Sequence, residues 1–270
     1  MPELPEVQTV VNTLTPRILG QRIERVELFR QDILTPADFD LPKHLAGQRI
    51  GQIARRAKRI VFTLENGNRF YIHLGMSGRL TIEPPKSEIP KHTHLILHFA
   101  DFDLRFRDPR RFGGIWWLGD EPDDDEIGPE PLSLQTNQFA ARLAKTHRAI
   151  KNALLDQKLI AGLGNIYVDE SLFQAGIHPL KPADKLKLAE IAKLNRAIKT
   201  TLRRALRHRG STLRDYVDAD GDSGSFQKLH RVYDRAAKPC FICKKPIKRI
   251  VLGGRSTHFC SHCQKRTKFA

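Results

Sequence analysis

Apolar side chains recur at helical spacing over residues 3–19. Leu4, Val7, Val11, Leu14 and Ile18 form one stripe, which predicts a helix with a single buried face. Pro16 should end or kink that helix, and Gly20 closes it. The period then changes. RIVFTL (59–64) and RFYIHL (69–74) flank ENGN, a hairpin signal. HLILHF (94–99) and DLRFRD (103–108) flank a short polar link, and GGIWWL (113–118) follows. Short Ile-, Val- and Phe-rich strands with turns between them predict a β-sandwich or barrel up to about residue 120. Further on the period is helical, in NQFAARLAKTHRAIKNALLD (137–156), YVDESLFQAG (167–176) and ADKLKLAEIAKLNRAIKTTLRRALRHRG (183–210). The last has Leu186, Ala189, Leu194, Ile198, Leu202 and Ala205 inside and cations over much of the rest. DADGDSGS (218–225) is polar and contains glycine, the composition of a mobile loop. Strands first and helices second predict an α+β chain. Its expected divisions are 1–120, an acidic Pro/Gly linker at 121–131, 132–225 and 226–270.

Composition narrows the class. The chain has 270 residues, 40% of them apolar, enough for a buried core and against wholesale disorder. No apolar run approaches the ~18 residues of a membrane-spanning helix. The opening MPELPEVQTV has two acids and no basic region, unlike a secretory signal. A soluble intracellular protein is expected. Lys and Arg total 46 against 30 Asp and Glu, a formal charge of +16, which predicts a polyanionic partner, nucleic acid first. Its distribution sharpens that expectation. Residues 181–210 hold ten Lys or Arg, and 231–270 hold eleven against Asp234 alone.

The four cysteines fall as Cys240-x2-Cys243-x16-Cys260-x2-Cys263, the spacing of a four-thiolate structural zinc site. Two residues between cysteines let one tight turn aim both sulfurs at one ion. The longer gap makes a two-stranded ribbon that brings the second pair round. Two disulfides fit an intracellular protein poorly, and a ligand swap to His258 or His262 is less economical. Arg255 lies between the pairs and, taken alone, reads as a solvated cation.

The N-terminus has its own chemistry. Initiator Met is often removed before a small residue, which would leave Pro2 as a secondary amine. An α-amino group titrates near ~8, so part of it is unprotonated at neutral pH and able to form an iminium. Glu3 and Glu6 sit beside it at i, i+3 spacing. Helix physics alone also accounts for these residue types, because Pro and acids favour a first turn.

Several motifs in order resemble the formamidopyrimidine-DNA glycosylases, bacterial base-excision enzymes for oxidised purines. They are PELPEV, RRAKR (55–59), HLGMSG (73–78), DPRRFG (108–113), GLGNIYVDE (162–170), AGIHP (175–179), and GGRSTHFC with CSHCQ. The resemblance implies an N-terminal catalytic β-sandwich, a helix–two-turns–helix module and a C-terminal zinc ribbon holding one structural Zn2+. It implies Pro2 as the nucleophile at C1′, Glu3 as the proton-shuttling acid/base, Glu6 as support for the amine, and Lys58 in β-elimination. It makes Met76, Arg110 and Phe112 the side chains that fill the void left by a flipped base. Asn165 and Arg255 become phosphate binders, Arg255 being linked also to δ-elimination. Lys151, Arg111 and His92 become secondary phosphate contacts. The implied partner is double-stranded DNA with oxidised purines or abasic sites, bound by a monomer in the bacterial cytoplasm at the nucleoid, with no membrane role.

This chain departs from the family pattern at Asp234, Ala237 and Lys244, where the family often has Gly. At 244, glycine would permit φ > 0; Lys244 must adopt it at some cost, or the turn must differ. Two rival readings remain. One is an endonuclease VIII-like enzyme for oxidised pyrimidines, against which Leu4 argues. The other is a non-catalytic protein for damaged DNA, against which the joint presence of Pro2, Glu3, Glu6 and Lys58 argues.

Overall fold

The computed structural model describes residues 1–121 and 126–266, so residues 122–125 of the expected acidic linker lie outside the described residues. The chain divides into two compact units. The first comprises 1–124 and 208–227, and the second 125–207 and 228–270.

In the first unit, α1 (Leu4–Ile18) buries Leu4, Val7, Val10, Val11, Leu14 and Ile18, the stripe its spacing predicts. It runs through Pro16 and stops two residues later. So near the C-terminal end, proline removes one helical hydrogen bond and little more. Two sheets follow. One has the order β1 (Arg25–Leu28), β7 (Thr93–His98), β8 (Asp103–Arg107), β6 (Arg79–Glu83). The other runs β2 (Leu34–Thr35), β9 (Gly114–Gly119), β5 (Arg69–His73), β4 (Arg59–Leu64), β3 (Ile50–Arg56). Among the described residues only β2 and β9 pair in parallel. A short helix, α2 (Leu41–Leu45), joins β2 to β3.

Both sheets and α1 share one apolar core. Leu80, Leu95, Leu97, Leu104 and Phe106 come from the first sheet, and Ile60, Phe62, Phe70, Ile72 and Ile115 from the second. Tyr216 and Ala219, from the returning segment 208–227, join it. That segment is tied down rather than loose. Asp218 is wholly buried and accepts the N–H groups of Asp220 and Asp222 while pairing with Arg209. The Ala219 N–H donates to Thr13 Oγ1 at 3.2 Å.

The second unit carries α3 (Thr136–Leu143), α4 (Ile150–Leu155), α5 (Asn165–Ala175) and α6 (Leu188–Arg207). The single helical stretch expected over 137–156 is two helices with a break at 144–149. There the Ile150 N–H turns to the carbonyl of Lys181. Gly176 closes α5 in the left-handed region at φ 70°. The ribbon is a hairpin of β10 (Lys248–Leu252) and β11 (Arg255–Phe259), with β11 packed on α5. Buried Glu170 of α5 accepts the N–H groups of Arg231, Val232 and Tyr233, fixing the approach to the ribbon. Burial raises its carboxyl above the usual value although those three donors oppose the shift. Among the described residues no helix is long and apolar enough to cross a membrane.

Candidate active site and zinc centre

At the start of α1, Pro2, Glu3 and Glu6 are buried. Glu6 is pinned through both carboxylate oxygens. Oε2 accepts the Glu3 N–H at 2.8 Å and Oε1 accepts the Ser211 N–H at 2.7 Å. The Tyr216 hydroxyl donates to the carbonyls of Glu6 and Arg209. Gly210, at φ 76°, lies so close that a Cβ there would sit 2.6 Å from Glu6 Oε1. Only glycine permits both the backbone conformation and the approach.

The chain's amino group, on Met1, lies within the influence of Glu3, Glu6, Lys58 and Asp215. Burial is the largest effect and lowers its pKa below the usual value; Lys58 lowers it further, and the three carboxylates oppose. Lys58 is itself buried, in the two-residue turn between β3 and β4. Its neighbour Ala57 has φ 55°, a conformation that costs a non-glycine residue energy. Arg55 ties this turn to α1, donating from Nε to Gln8 at 3.0 Å and from Nη1 to the Ala57 carbonyl at 2.9 Å. A strained turn thus delivers a buried ammonium beside the amino end of the first helix. Next to it, burial and the charges of Lys58 and Arg59 lower the His73 pKa to about 4. The ring is neutral at pH 7, and its Nδ1 accepts the Gly75 N–H at 3.1 Å.

Met76, Arg110 and Phe112 stand on two loops pressed together. Asp108, almost wholly buried, organises the pair. Its Oδ1 accepts the Ser77 hydroxyl at 2.5 Å and the Arg110 N–H at 3.3 Å, and its Oδ2 accepts the Gly113 N–H at 2.7 Å. A Cβ on Gly75 would fall 2.3 Å from the Phe112 carbonyl carbon. With their backbones packed this closely, the loops send their large side chains outward. Met76 is 39% and Phe112 56% exposed, and the Arg110 guanidinium lies over the Phe112 ring at 4.9 Å. Exposed His92 borders the same loops, its carbonyl accepting the Asp108 N–H. Arg111 is exposed at φ 55°, 3.8 Å from Asp32.

In the second unit Asn165 opens α5 and Arg255, exposed, opens β11. Asn165 Nδ2 donates to the Ser256 carbonyl at 2.9 Å. Lys151 lies inside the second unit. Expected at a phosphate, it has no exposed surface, and its Nζ donates to Asp169 at 2.6 Å and to the Ser256 carbonyl at 2.7 Å. The sequence carried a hint, since Lys151 shares its face of α4 with buried Leu154 at i+3. Ser211 and Asp169 were missed because their partners lie far off in the chain, and Asp108 because its bond to Ser77 spans 31 residues.

Four sulfurs converge as the cysteine spacing predicts. Those of Cys240, Cys243, Cys260 and Cys263 all lie within 4.8 Å of one another. Two pairs are 3.4 and 3.9 Å apart, bracketing the ~3.8 Å edge of a tetrahedron with Zn–S bonds of about 2.3 Å. Four soft donors at this spacing fit zinc. Burial, then the hydrogen bonds from the other three sulfurs, pushes the Cys263 thiol far above its usual pKa; a bound cation reverses that balance. Ala237, Asp234 and Lys244 all take φ > 0, at 63°, 56° and 64°. The turns at these departures are therefore left-handed without glycine, and the Lys244 N–H still reaches the Cys240 carbonyl at 2.9 Å.

The fold and these groups define a zinc-ribbon protein with an acid-flanked amino terminus and two strongly basic segments. Three family models match the chain. They are the formamidopyrimidine-DNA glycosylase N-terminal domain over 1–115, the formamidopyrimidine-DNA glycosylase H2TH domain over 127–217, and the zinc finger found in FPG and IleRS over 237–266. The chain belongs to the formamidopyrimidine-DNA glycosylase family. It is 46% identical to the formamidopyrimidine-DNA glycosylase of Solibacter usitatus, over 98% of this chain and 100% of that one. To that of Carboxydothermus hydrogenoformans it is 41% identical, with the same coverage. Among solved structures it is similar to Lactococcus lactis Fpg (MutM) in complex with N7-benzyl-Fapy-dG DNA, with a TM-score of 0.93 and 36% identity. The L. lactis complex with abasic-site DNA gives 0.92 and 37%. Both comparisons cover 98% of this chain and 100% of the other.

Proposed function

We propose that this chain is a bifunctional base-excision enzyme that removes oxidised purines from duplex DNA and then cuts the abasic strand. One observation carries the reading. The amino end of the chain, Glu3, Glu6 and the buried Lys58 share one electrostatic neighbourhood, and binding DNA requires no such grouping.

In this reading, loss of Met1 puts a secondary amine on Pro2. Pro2 is buried, and burial favours the unprotonated, nucleophilic form of an amine. The Pro2 nitrogen bonds to C1′ of the flipped nucleotide and gives up its proton, while the glycosidic electron pair leaves with the base, which takes up a proton in turn. Glu3 protonates O4′ as the C1′–O4′ bond opens, leaving an iminium. Glu6, held by two backbone donors, fixes the amine against Glu3. Lys58 assists loss of the C2′ proton and expulsion of the 3′ phosphate, and Arg255 serves the second elimination at the 5′ phosphate. Met76, Arg110 and Phe112 occupy the vacated stack, an apolar wedge with a guanidinium for the orphaned base. Asn165 and the first N–H groups of α5 bind phosphate. His92 and Arg111 add outer phosphate contacts. One zinc ion held by the four cysteines stabilises the ribbon and takes no part in the chemistry. The substrate follows from the relatives, of which Lactococcus lactis Fpg is crystallised with abasic-site DNA and, as a point mutant, with Fapy-dG DNA. In a bacterial cell such a protein belongs with the nucleoid.

The test is a borohydride trap on duplex DNA carrying one 8-oxoguanine opposite cytosine, with the intact mass of the protein measured in parallel. A covalent adduct on chains starting at Pro2, abolished by a one-residue N-terminal extension, is the expected result. Normal trapping by the extended chain would overturn the assignment of Pro2.

A further inference from the structure

Two buried charged side chains of the second unit, Lys151 and Asp169, and the half-buried Asn165 converge on one short piece of ribbon. Lys151 Nζ, with no exposed surface, lies 2.6 Å from Asp169 Oδ1 and donates to the Ser256 carbonyl at 2.7 Å. Asn165 Nδ2 donates to the same carbonyl at 2.9 Å and approaches the Ser256 hydroxyl at 3.3 Å. The second oxygen of Asp169 accepts the His258 N–H at 2.8 Å and faces His258 Nδ1 at 3.3 Å. Strand β11 is therefore gripped at 256 and at 258. Arg255, the residue just before the first grip, is exposed.

A fully buried ion pair is an expensive way to hold a helix against a ribbon. Apolar side chains of similar volume would serve adhesion as well or better. What charge adds is direction. A carboxylate orients an N–H, and an ammonium orients a carbonyl, with a tolerance of tenths of an ångström. Strand β11 also buries Thr257 and Phe259, but the hairpin turn before it is made of Gly253 and Gly254, which have no side chains to pack. Without the grip, Arg255 would follow a flexible turn.

We propose that Asp169, charged against Lys151, is a positioning residue that fixes the register of β11 on α5 and so aims the Arg255 guanidinium. This rests on the role given to Arg255 under the proposed function. It assigns Asp169 an effect on strand cleavage, with no contact to DNA.

The experiment uses the zinc-loaded full chain with Asp169→Asn, Arg255→Ala and both together, acting on a duplex with one abasic site. Products of the first and second eliminations are separated, and zinc content is measured on every sample. Asp169→Asn should keep its zinc and slow the second elimination at least tenfold relative to the first. The double variant should be no slower than the slower single one, as expected for residues acting as a unit. Multiplying losses would overturn the proposal, as would an unchanged product ratio. Amide hydrogen exchange separates this from failure of the Arg255 assignment. If Arg255→Ala leaves the second elimination intact, the proposal still requires faster exchange at residues 255–258 in Asp169→Asn with residues 240–243 unchanged; equal exchange there would sink it. Should Asp169→Asn fail to load zinc, Lys151→Met with Asp169→Asn removes both buried charges and faces the same exchange criterion.

Discussion

Lys244 and Ala237 hold left-handed backbone conformations without being glycine, each at a cost of roughly 1 kcal/mol. Asp234 shares the conformation but is a residue that tolerates it better. Lys244→Gly and Ala237→Gly are therefore expected to stabilise the ribbon by about 0.5–1 kcal/mol each, after the entropic penalty of glycine. Tighter zinc retention against a competing chelator would measure this; weaker retention would mean that the turn is not strained. A second residue, His73, sets a dependence on pH. Its folded pKa is lowered to about 4 by burial and neighbouring cations, so below pH 6.5 the unfolded chain takes up a proton that the folded chain refuses. Stability from this group is complete above 6.5 and is lost as pH falls toward 4. By pH 5 the loss amounts to at most about 2 kcal/mol. Thermal melts at pH 7 and pH 5 should show a smaller acid-induced drop in His73→Asn than in the parent chain. Lys151 marks how far single residues can be read from sequence. The family resemblance pointed it to phosphate, and its partner Asp169 lies 18 residues away on another helix. No local pattern pairs the two.

At the scale of elements, strands with a clear apolar period were legible. RIVFTL, RFYIHL, HLILHF, DLRFRD and GGIWWL coincide closely with β4, β5, β7, β8 and β9. β3 was not read, because in IGQIARR only Ile50 and Ile53 are buried and the rest alternates poorly. The gap between α3 and α4 was also hidden. AKTHRA contains neither Gly nor Pro, and the break comes from the Lys181 carbonyl capturing the Ile150 N–H, a contact made by tertiary structure. The ribbon was the most legible element, since four thiolates fix its geometry whatever lies between them. That dependence is testable. Chelating the zinc should unfold 237–266 and abolish duplex binding while the first unit's melting transition persists. Unchanged duplex binding by the metal-free chain would show that the ribbon does not contribute to the grip.

Across the whole molecule, sequence order suggested domains laid end to end, but compactness does not follow that order. The segment 208–227 belongs to the first unit, where Tyr216 and Ala219 enter the core and Ser211 holds Glu6. The core stripe of α1 was visible in the sequence, but not the remote segment that completes its packing. A fragment ending at 124 should therefore melt earlier and less cooperatively than the first unit of the intact chain. An identical melt would contradict the core role of the returning segment. The same arrangement sets a schedule for synthesis. The first helix emerges from the ribosome at once, yet Glu6 receives its last backbone donor only after residue 211 has followed. The reactive end of the chain is made first and finished late, when most of the helical unit has already been translated.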